Sequence, residues 1–153
     1  MQTASHAPAA TIRSARVDDA AALASLATHL GYPADEAAMR PRIERIAALD
    51  DYETYVAERG GVVIGFIGVT WKWSYTDDTP RAQILALVVD PAERGRGTGA
   101  ALVAAAEEWG RQHGAGGIFV TTALHRERTH LFYERLGYAK TGFRYVKKLF
   151  QGG

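Results

Sequence analysis

The 153-residue sequence contains no cysteine, which excludes disulfides, thiolate metal sites and cysteine nucleophiles together. It has no apolar run near the roughly 18–20 residues that a membrane-spanning helix needs. The opening stretch, MQTASHAPAATIR, lacks both the basic start and the apolar run of a secretory leader. The cytoplasm is therefore the expected location. Net charge is nearly absent too: 18 Lys and Arg stand against 17 Asp and Glu. No long basic run stands out, so nucleic acid is not an expected partner. Internal repeats, low-complexity blocks and linkers are also missing. Length and composition, 47% hydrophobic and 23% charged, suit one globular domain. That domain is expected over 11–150, between a loose tail at 1–10 and a short one at 151–153.

The near-neutral total hides an asymmetry. Residues 91–153 hold ten Lys and Arg against five Asp and Glu, whereas residues 1–90 hold eight against twelve. The basic half contains a glycine-rich stretch. An anionic ligand thus enters consideration beside a merely solvated, unevenly charged surface.

Periodicity predicts a short strand over 10–15. Asp18 and Asp19 suit a helix start, Leu23, Leu26, Ala27 and Leu30 follow at helical spacing, and Gly31-Tyr32-Pro33 stops the run. A second helical pattern uses Met39, Ile43, Ile46 and Ala47. Pro41 inside it predicts a kink or a restart, with Pro41 in the first turn. Strands over 52–58 and 62–73 flank Arg59-Gly60-Gly61, which reads as a hairpin. The second of them is apolar at odd and even positions up to Val69, as in a central strand covered on both faces. A strand over 82–90 follows, then a helix over 99–114 with Leu102, Ala105, Ala106 and Trp109 on one face. A strand over 117–124, a short helix over 128–137 and a final strand over 142–150 complete the chain. Hairpins come first and a parallel crossover comes late. That order predicts an α/β fold with one mixed sheet and helices on both faces.

Residues 88–103, VVDPAERGRGTGAALV, pose the functional question. An apolar strand stops at Asp90-Pro91, three glycines alternate with Arg96 and Thr98, and a helical run begins. Glycines allow backbone conformations that other residues avoid and let a ligand approach closely. The first amides of the following helix have no internal partners, and with the helix dipole they favour an anion, typically phosphate. Arg94 and Arg96 add positive charge at the edge. The triphosphate loop G-x-x-x-x-G-K-[ST] is excluded because no Lys follows a glycine at that spacing. The dinucleotide fingerprint G-x-G-x-x-G/A formally fits Gly95–Ala100, but no acid ends the next strand, which closes TTALHR. Taken by itself the loop also fits a ligand-free strand-to-helix turn.

The stretch LALVVDPAERGRGTGAALV resembles the acetyl-CoA signature of the GNAT N-acetyltransferase superfamily, in which [Q/R]-x-x-G-x-[G/A] opens a helix after an apolar strand. Arg94-Gly95-Arg96-Gly97-Thr98-Gly99 fills that pattern here. HLFYERLGYAKTGFRYVKKL is similar to the family's C-terminal FYE-x-x-GF segment. Both landmarks occur in order within a matching element order from about residue 11 to residue 150. The resemblance implies a mostly antiparallel sheet of six to seven strands, splayed between the fourth and fifth. It implies acetyl-CoA as co-substrate and no metal.

Carried over by position, the resemblance assigns the pyrophosphate to the amides of Gly95, Arg96, Gly97, Thr98, Gly99 and Ala100, with Arg94 at the edge. It assigns the pantetheine arm and acetyl group to the backbone of Leu87, Val88 and Val89, whose amides would also polarise the thioester carbonyl. The reaction it implies is direct attack of a neutral amine on the thioester, with no protein nucleophile. Tyr133, in the FY pair, would protonate the leaving thiolate, since a phenol with a pKa of about 10 keeps its proton at neutral pH. By itself Tyr133 also reads as core packing beside Phe132 and Tyr138. The sequence departs from the family pattern at Arg126, where many relatives carry the Asn that contacts the pantetheine arm, and at Thr129, where they carry Ala. Arg126 remains a cofactor contact through phosphate. His130, three residues before Tyr133 on roughly the same helix face, is a substrate-side candidate or a capping histidine.

Trp71, Trp73 and Tyr75 alternate and so share one side of the third strand if it extends that far. The acceptor site is expected on the side of the first helices and the connection between the third and fourth strands. Aromatic walls with Asp77 and Asp78 nearby suit a cationic amine. The same residues equally suit a dimer interface or core packing, and homodimers are common in the superfamily. No general base is assigned. Asp77, Asp78 and His125 are candidates, and Gln83 could hold a water. The function expected is acetyl transfer to a primary amine of a small molecule. The alternatives are a protein N-terminus or Lys as acceptor, and a CoA-sensing domain without catalysis.

Overall fold

The computed structural model describes residues 9–122 and 127–150. They form two compact units, one ending at Val120 and one beginning at Thr121. The first opens with β1 (Thr11–Ser14) and a 3-10 turn (Val17–Asp19) that leads into α1 (Ala20–Ala27). Asp19 accepts from the Arg16 amide at 2.7 Å and from both terminal nitrogens of Arg13 at 2.9 Å. The Arg13 guanidinium, above all, holds the Asp19 carboxyl below the ordinary carboxylate range. A residue chosen as a helix start thus also ties α1 to β1.

α2 (Glu36–Ala47) runs through Pro41, so the expected restart there does not occur. Helix initiation lies earlier, at Asp35, whose side chain accepts from the Ala38 amide at 2.8 Å. Pro41 sits within the helix, where its missing amide leaves the Ala37 carbonyl without its usual donor.

β2 (Tyr52–Arg59) and β3 (Val62–Lys72) form the expected hairpin, and β4 (Arg81–Val89) continues the antiparallel run. Gly60 and Gly61 both take positive φ, which a two-residue loop between strands requires. α3 (Thr98–Gln112) then crosses over to β5 (Gly117–Val120), which pairs parallel to β4. The sheet order is β1-β2-β3-β4-β5. Val56, Phe66 and Val88 are cross-strand partners on one face, buried with Leu23, Leu26, Met39 and Ile43 of α1 and α2. The other face lies against α3. A Cβ on Gly65 of β3 would touch Leu102, and one on Gly110 would touch Ala82 of β4.

The second unit carries α4 (Glu127–Arg135). Its end is closed by hydrogen bonds from Gly137 to the Glu134 carbonyl and from Tyr138 to the Tyr133 carbonyl, both 3.0 Å. The final strand expected over 142–150 is absent, and Phe143, Tyr145, Val146, Leu149 and Phe150 are exposed. A strand exists through its ladder, and the apolar pattern there supplies side chains without supplying a partner. Likewise β5 stops at Val120, and positions 123–124 of its expected extension lie outside the described residues. The described residues therefore hold five strands, against the six to seven expected. Among them, no helix is long and apolar enough to cross a membrane.

Candidate active site

β4 is paired unequally along its length. On the β3 side the ladder runs the whole strand, from Arg81↔Lys72 to Val89↔Gly65. On the β5 side it covers only Arg81–Ile84, opposite Gly117–Val120. Leu85–Val89 thus has one backbone edge without a strand partner among the described residues. A register shift adds to this: Gly68 opposes Ala86 while Val69 opposes Ile84, which leaves Leu85 as a bulge. Val88 is buried in the core beneath α1 and α2, and Leu87 and Val89 are half-buried. Side chains anchor this segment and leave peptide groups along the open edge, as an added extended ligand would need.

The glycine loop continues directly from that edge. The Asp90 amide donates to the Ile64 carbonyl at 2.8 Å, and its side chain caps the 3-10 turn Pro91–Glu93 by accepting from Ala92 at 2.9 Å. Gly95 and Gly97 both sit at φ 79°, a left-handed conformation that disfavours any residue with a Cβ. Gly97 is the N-cap of α3, with no side chain to satisfy the helix amides. The first intrahelical bond runs from Ala101 to the Gly97 carbonyl at 3.0 Å, so Thr98, Gly99 and Ala100 amides precede the ladder. The first turn contains no acid to offset the dipole. Thr98 is 3% exposed, and its hydroxyl has no hydrogen-bond partner among the described residues. Arg94 and Arg96 are exposed beside this end. Among the described residues, helix-start amides that precede the ladder and two exposed cations form a donor set that fits a phosphate-bearing ligand.

Tyr133 and His130 belong to the second unit. Tyr133 is 6% exposed, with Phe132 and Tyr138 edge-on at ring-centroid distances of 5.1 and 5.3 Å. Burial pushes its phenol pKa up to about 12, so it keeps its proton across the whole neutral range. Arg126 and His125 lie outside the described residues.

The aromatic group divides. Trp71 meets Trp73 edge-on at 5.6 Å and stacks at 6.4 Å on His113, which caps α3 and lies 4.3 Å from Trp109. β3 ends at Lys72, so alternation extends only to this pair, and Tyr75 stands fully exposed apart from it. Gly65 and Trp71 lie on the same face of β3, the face that meets α3. The tryptophans therefore sit with α3 and not, as expected, beside the first helices. The Trp71 indole N–H is buried without a partner among the described residues. Asp77 accepts from the Thr79 amide at 3.4 Å and stands 3.9 Å from Arg81.

Two features of the site lay beyond sequence reasoning. Arg59, at the end of β2, pairs with Glu93 in the 3-10 turn at 3.0 Å. Gly65 brings β3 close beneath Val88 and Val89. Glu93 carried a signal, as the single acid between Pro91 and Ala100. Nothing in the sequence named its partner.

Among the described residues, a five-stranded mixed sheet whose fourth strand has an unpaired edge runs into a glycine loop at the start of the crossover helix, the architecture of a mixed α/β class with donors suited to an extended, phosphate-bearing ligand. Comparison with known proteins narrows this. The family model of the acetyltransferase (GNAT) family matches residues 17–138. The aminoalkylphosphonate N-acetyltransferase of Salmonella typhimurium is 37% identical over 94 residues, covering 61% of each chain. The chain thus spans about three-fifths of that relative's length. The aminoglycoside N(6')-acetyltransferase type 1 of Stenotrophomonas maltophilia is 30% identical over 141 residues, 88% of this chain and 90% of that protein. Among solved structures, the aminoglycoside N-acetyltransferase AAC(6')-Iy in complex with CoA superposes with a TM-score of 0.83 at 22% identity, covering 95% of this chain and 98% of that one. The chain belongs to the acetyltransferase (GNAT) family.

Proposed function

We propose that the protein is an acetyl-CoA-dependent N-acetyltransferase that acts on a primary amine of a small molecule. The observation that carries this reading is the continuity of the Leu85–Val89 edge, which has no strand partner among the described residues, with the loop whose α3 amides precede the helical ladder. The two relatives described above are named for N-acetylation of small amines, which supports the same reading. Acetyl-CoA supplies the activated acyl group. Gly95–Ala100 hold its pyrophosphate through backbone donors, with Arg94 and Arg96 as flanking charge. Peptide groups of Leu87–Val89 hold the pantetheine arm and orient the thioester, and an amide there stabilises the developing oxyanion. Tyr133 gives its proton to the departing thiolate; burial keeps the phenol protonated at neutral pH until that step. The amine attacks the thioester carbonyl carbon in its neutral form, the C–S bond breaks as the tetrahedral intermediate collapses, and the proton shed by the nitrogen passes through water to restore the Tyr133 phenol.

The test is thiol release from acetyl-CoA across a panel of small amines, run beside a peptide panel and calorimetry with CoA and NAD. Release with at least one small amine, lost in Tyr133→Phe, is the expected outcome. Turnover confined to peptides would move the acceptor to protein amines. Tight CoA binding with no turnover, unaffected by Tyr133→Phe, would make the protein a CoA sensor. Binding of NAD without CoA would refute the reading altogether.

A further inference from the structure

The phosphate loop contains a charge of the wrong sign. Between Pro91 and Ala100 the single acid is Glu93, immediately before Arg94-Gly95. A carboxylate free to swing beside the α3 amides would compete for them and repel a dianion. The structure engages it elsewhere. The Glu93 carboxylate lies 3.0 Å from Arg59 Nε, and both side chains are largely buried, 13% and 15% exposed. Arg59 belongs to neither loop nor helix: it ends β2, just before the Gly60-Gly61 turn. The backbone at this point is tied down as well. The Glu93 amide donates to the Asp90 carbonyl at 2.8 Å, and Asp90 is itself bonded to Ile64 of β3.

We infer that Arg59 is a positioning residue for the cofactor loop: it holds the Glu93 carboxylate out of the pyrophosphate site and so keeps the loop competent for an anion. This rests on the reading of Gly95–Ala100 as the pyrophosphate cradle. Its signature differs from that of a structural ion pair. Removing Arg59 releases a carboxylate against the ligand, whereas removing both partners leaves no charge to oppose it. Loss of Arg59 is therefore rescued by loss of Glu93. The effect also requires a ligand that carries phosphate.

The experiment measures CoA affinity by calorimetry, and kcat/KM with acetyl-CoA and with phosphate-free acetyl-pantetheine, for wild type, Arg59→Gln, Glu93→Gln and the double variant. Arg59→Gln is expected to weaken CoA about tenfold, the scale of one like charge released close to a dianion. Turnover of acetyl-pantetheine should be unchanged. The double variant should return to within about twofold of wild type, and Glu93→Gln alone should lose nothing. No loss in Arg59→Gln, no rescue in the double variant, or an equal loss with acetyl-pantetheine would each overturn the inference. If Arg59→Gln does not fold, the remaining two variants decide: a loss of CoA affinity beyond about fivefold in either overturns it. Wild-type protein that binds no CoA would instead refute the parent reading.

Discussion

Gly65 offers a quantitative test of how the sheet positions the cofactor strand. A Cβ placed on it would lie 2.9 Å from the Val88 carbonyl oxygen, 3.2 Å from Leu102 Cδ1 and 3.4 Å from Val89 Cα. Carbon and oxygen in van der Waals contact stand about 3.3 Å or more apart, so Gly65→Ala must displace the Val88–Val89 backbone by several tenths of an ångström. Overpacking of this kind costs about 1–3 kcal/mol. Replacing a strand glycine by alanine returns about 0.5–1 kcal/mol of backbone entropy. The net runs from about zero to a loss of about 2.5 kcal/mol, or a fall in Tm of up to roughly 10 °C for a chain of this size. Gly68, three residues along the same strand, is the internal control, because its Cβ would meet only Leu85 Cβ at 3.9 Å. Gly68→Ala should leave Tm unchanged or raise it. The displaced segment is the proposed acetyl and pantetheine site, so Gly65→Ala should also lower kcat/KM for acetyl-CoA by roughly tenfold, and Gly68→Ala should not. Thermal melts and steady-state kinetics on the pair suffice. Matching melts for the two variants would refute the packing argument, and a destabilised Gly65→Ala with wild-type kinetics would refute the placement of the cofactor.

Gly97→Val meets open space, so its cost is the left-handed φ of 79°, about 1–2 kcal/mol; CoA affinity should fall at least tenfold while the circular-dichroism spectrum is kept, and unchanged affinity would mean that the pyrophosphate lies elsewhere. Tyr133→Phe should lower kcat roughly a hundredfold with little change in CoA affinity. Because the phenol pKa stands at about 12, the acid keeps its proton through alkaline assays; a limb at the ordinary phenol value of about 10 that disappears in Tyr133→Phe would contradict this. Asp19 is held below its ordinary pKa chiefly by Arg13, so it stabilises the fold above pH 4 or so and loses that contribution as pH falls. Asp19→Asn should therefore be less stable than wild type at neutral pH by about 1–3 kcal/mol, with the gap closing on acidification; a gap independent of pH would exclude the ion pair as its source.

Much of the architecture was legible because its signals are local. The Gly60-Gly61 turn, the apolar run of β3 and the helical spacing of Leu102, Ala106 and Trp109 each follow from residues a few positions apart. So does the glycine loop, whose positive-φ positions and unpaired helix amides are consequences of adjacent residues. Errors arose where a local signal depends on what it meets. Pro41 reads as a helix start only until Asp35 caps the chain earlier. The segment 142–150 has the composition of a strand and no ladder. The alternation of Trp71, Trp73 and Tyr75 required a strand that continues past Lys72, where β3 ends, and which helix covers the Trp71 face is set by sheet order and register.

The sequence by itself thus determined the family and the glycine loop that opens α3, and it singled out the tyrosine of the FY pair as the proposed acid, because each is written in contiguous residues at fixed spacing. Only the tertiary structure decided that Leu85–Val89 has no second strand partner among the described residues, that Gly65 presses against Val88, that Trp71 faces α3 and that Arg59 takes up the charge of Glu93. The last pair is 34 residues apart. Such meetings depend on strand order, on a bulge at Leu85 and on the face each residue presents. Those are properties of the assembled sheet, and no window of sequence contains them.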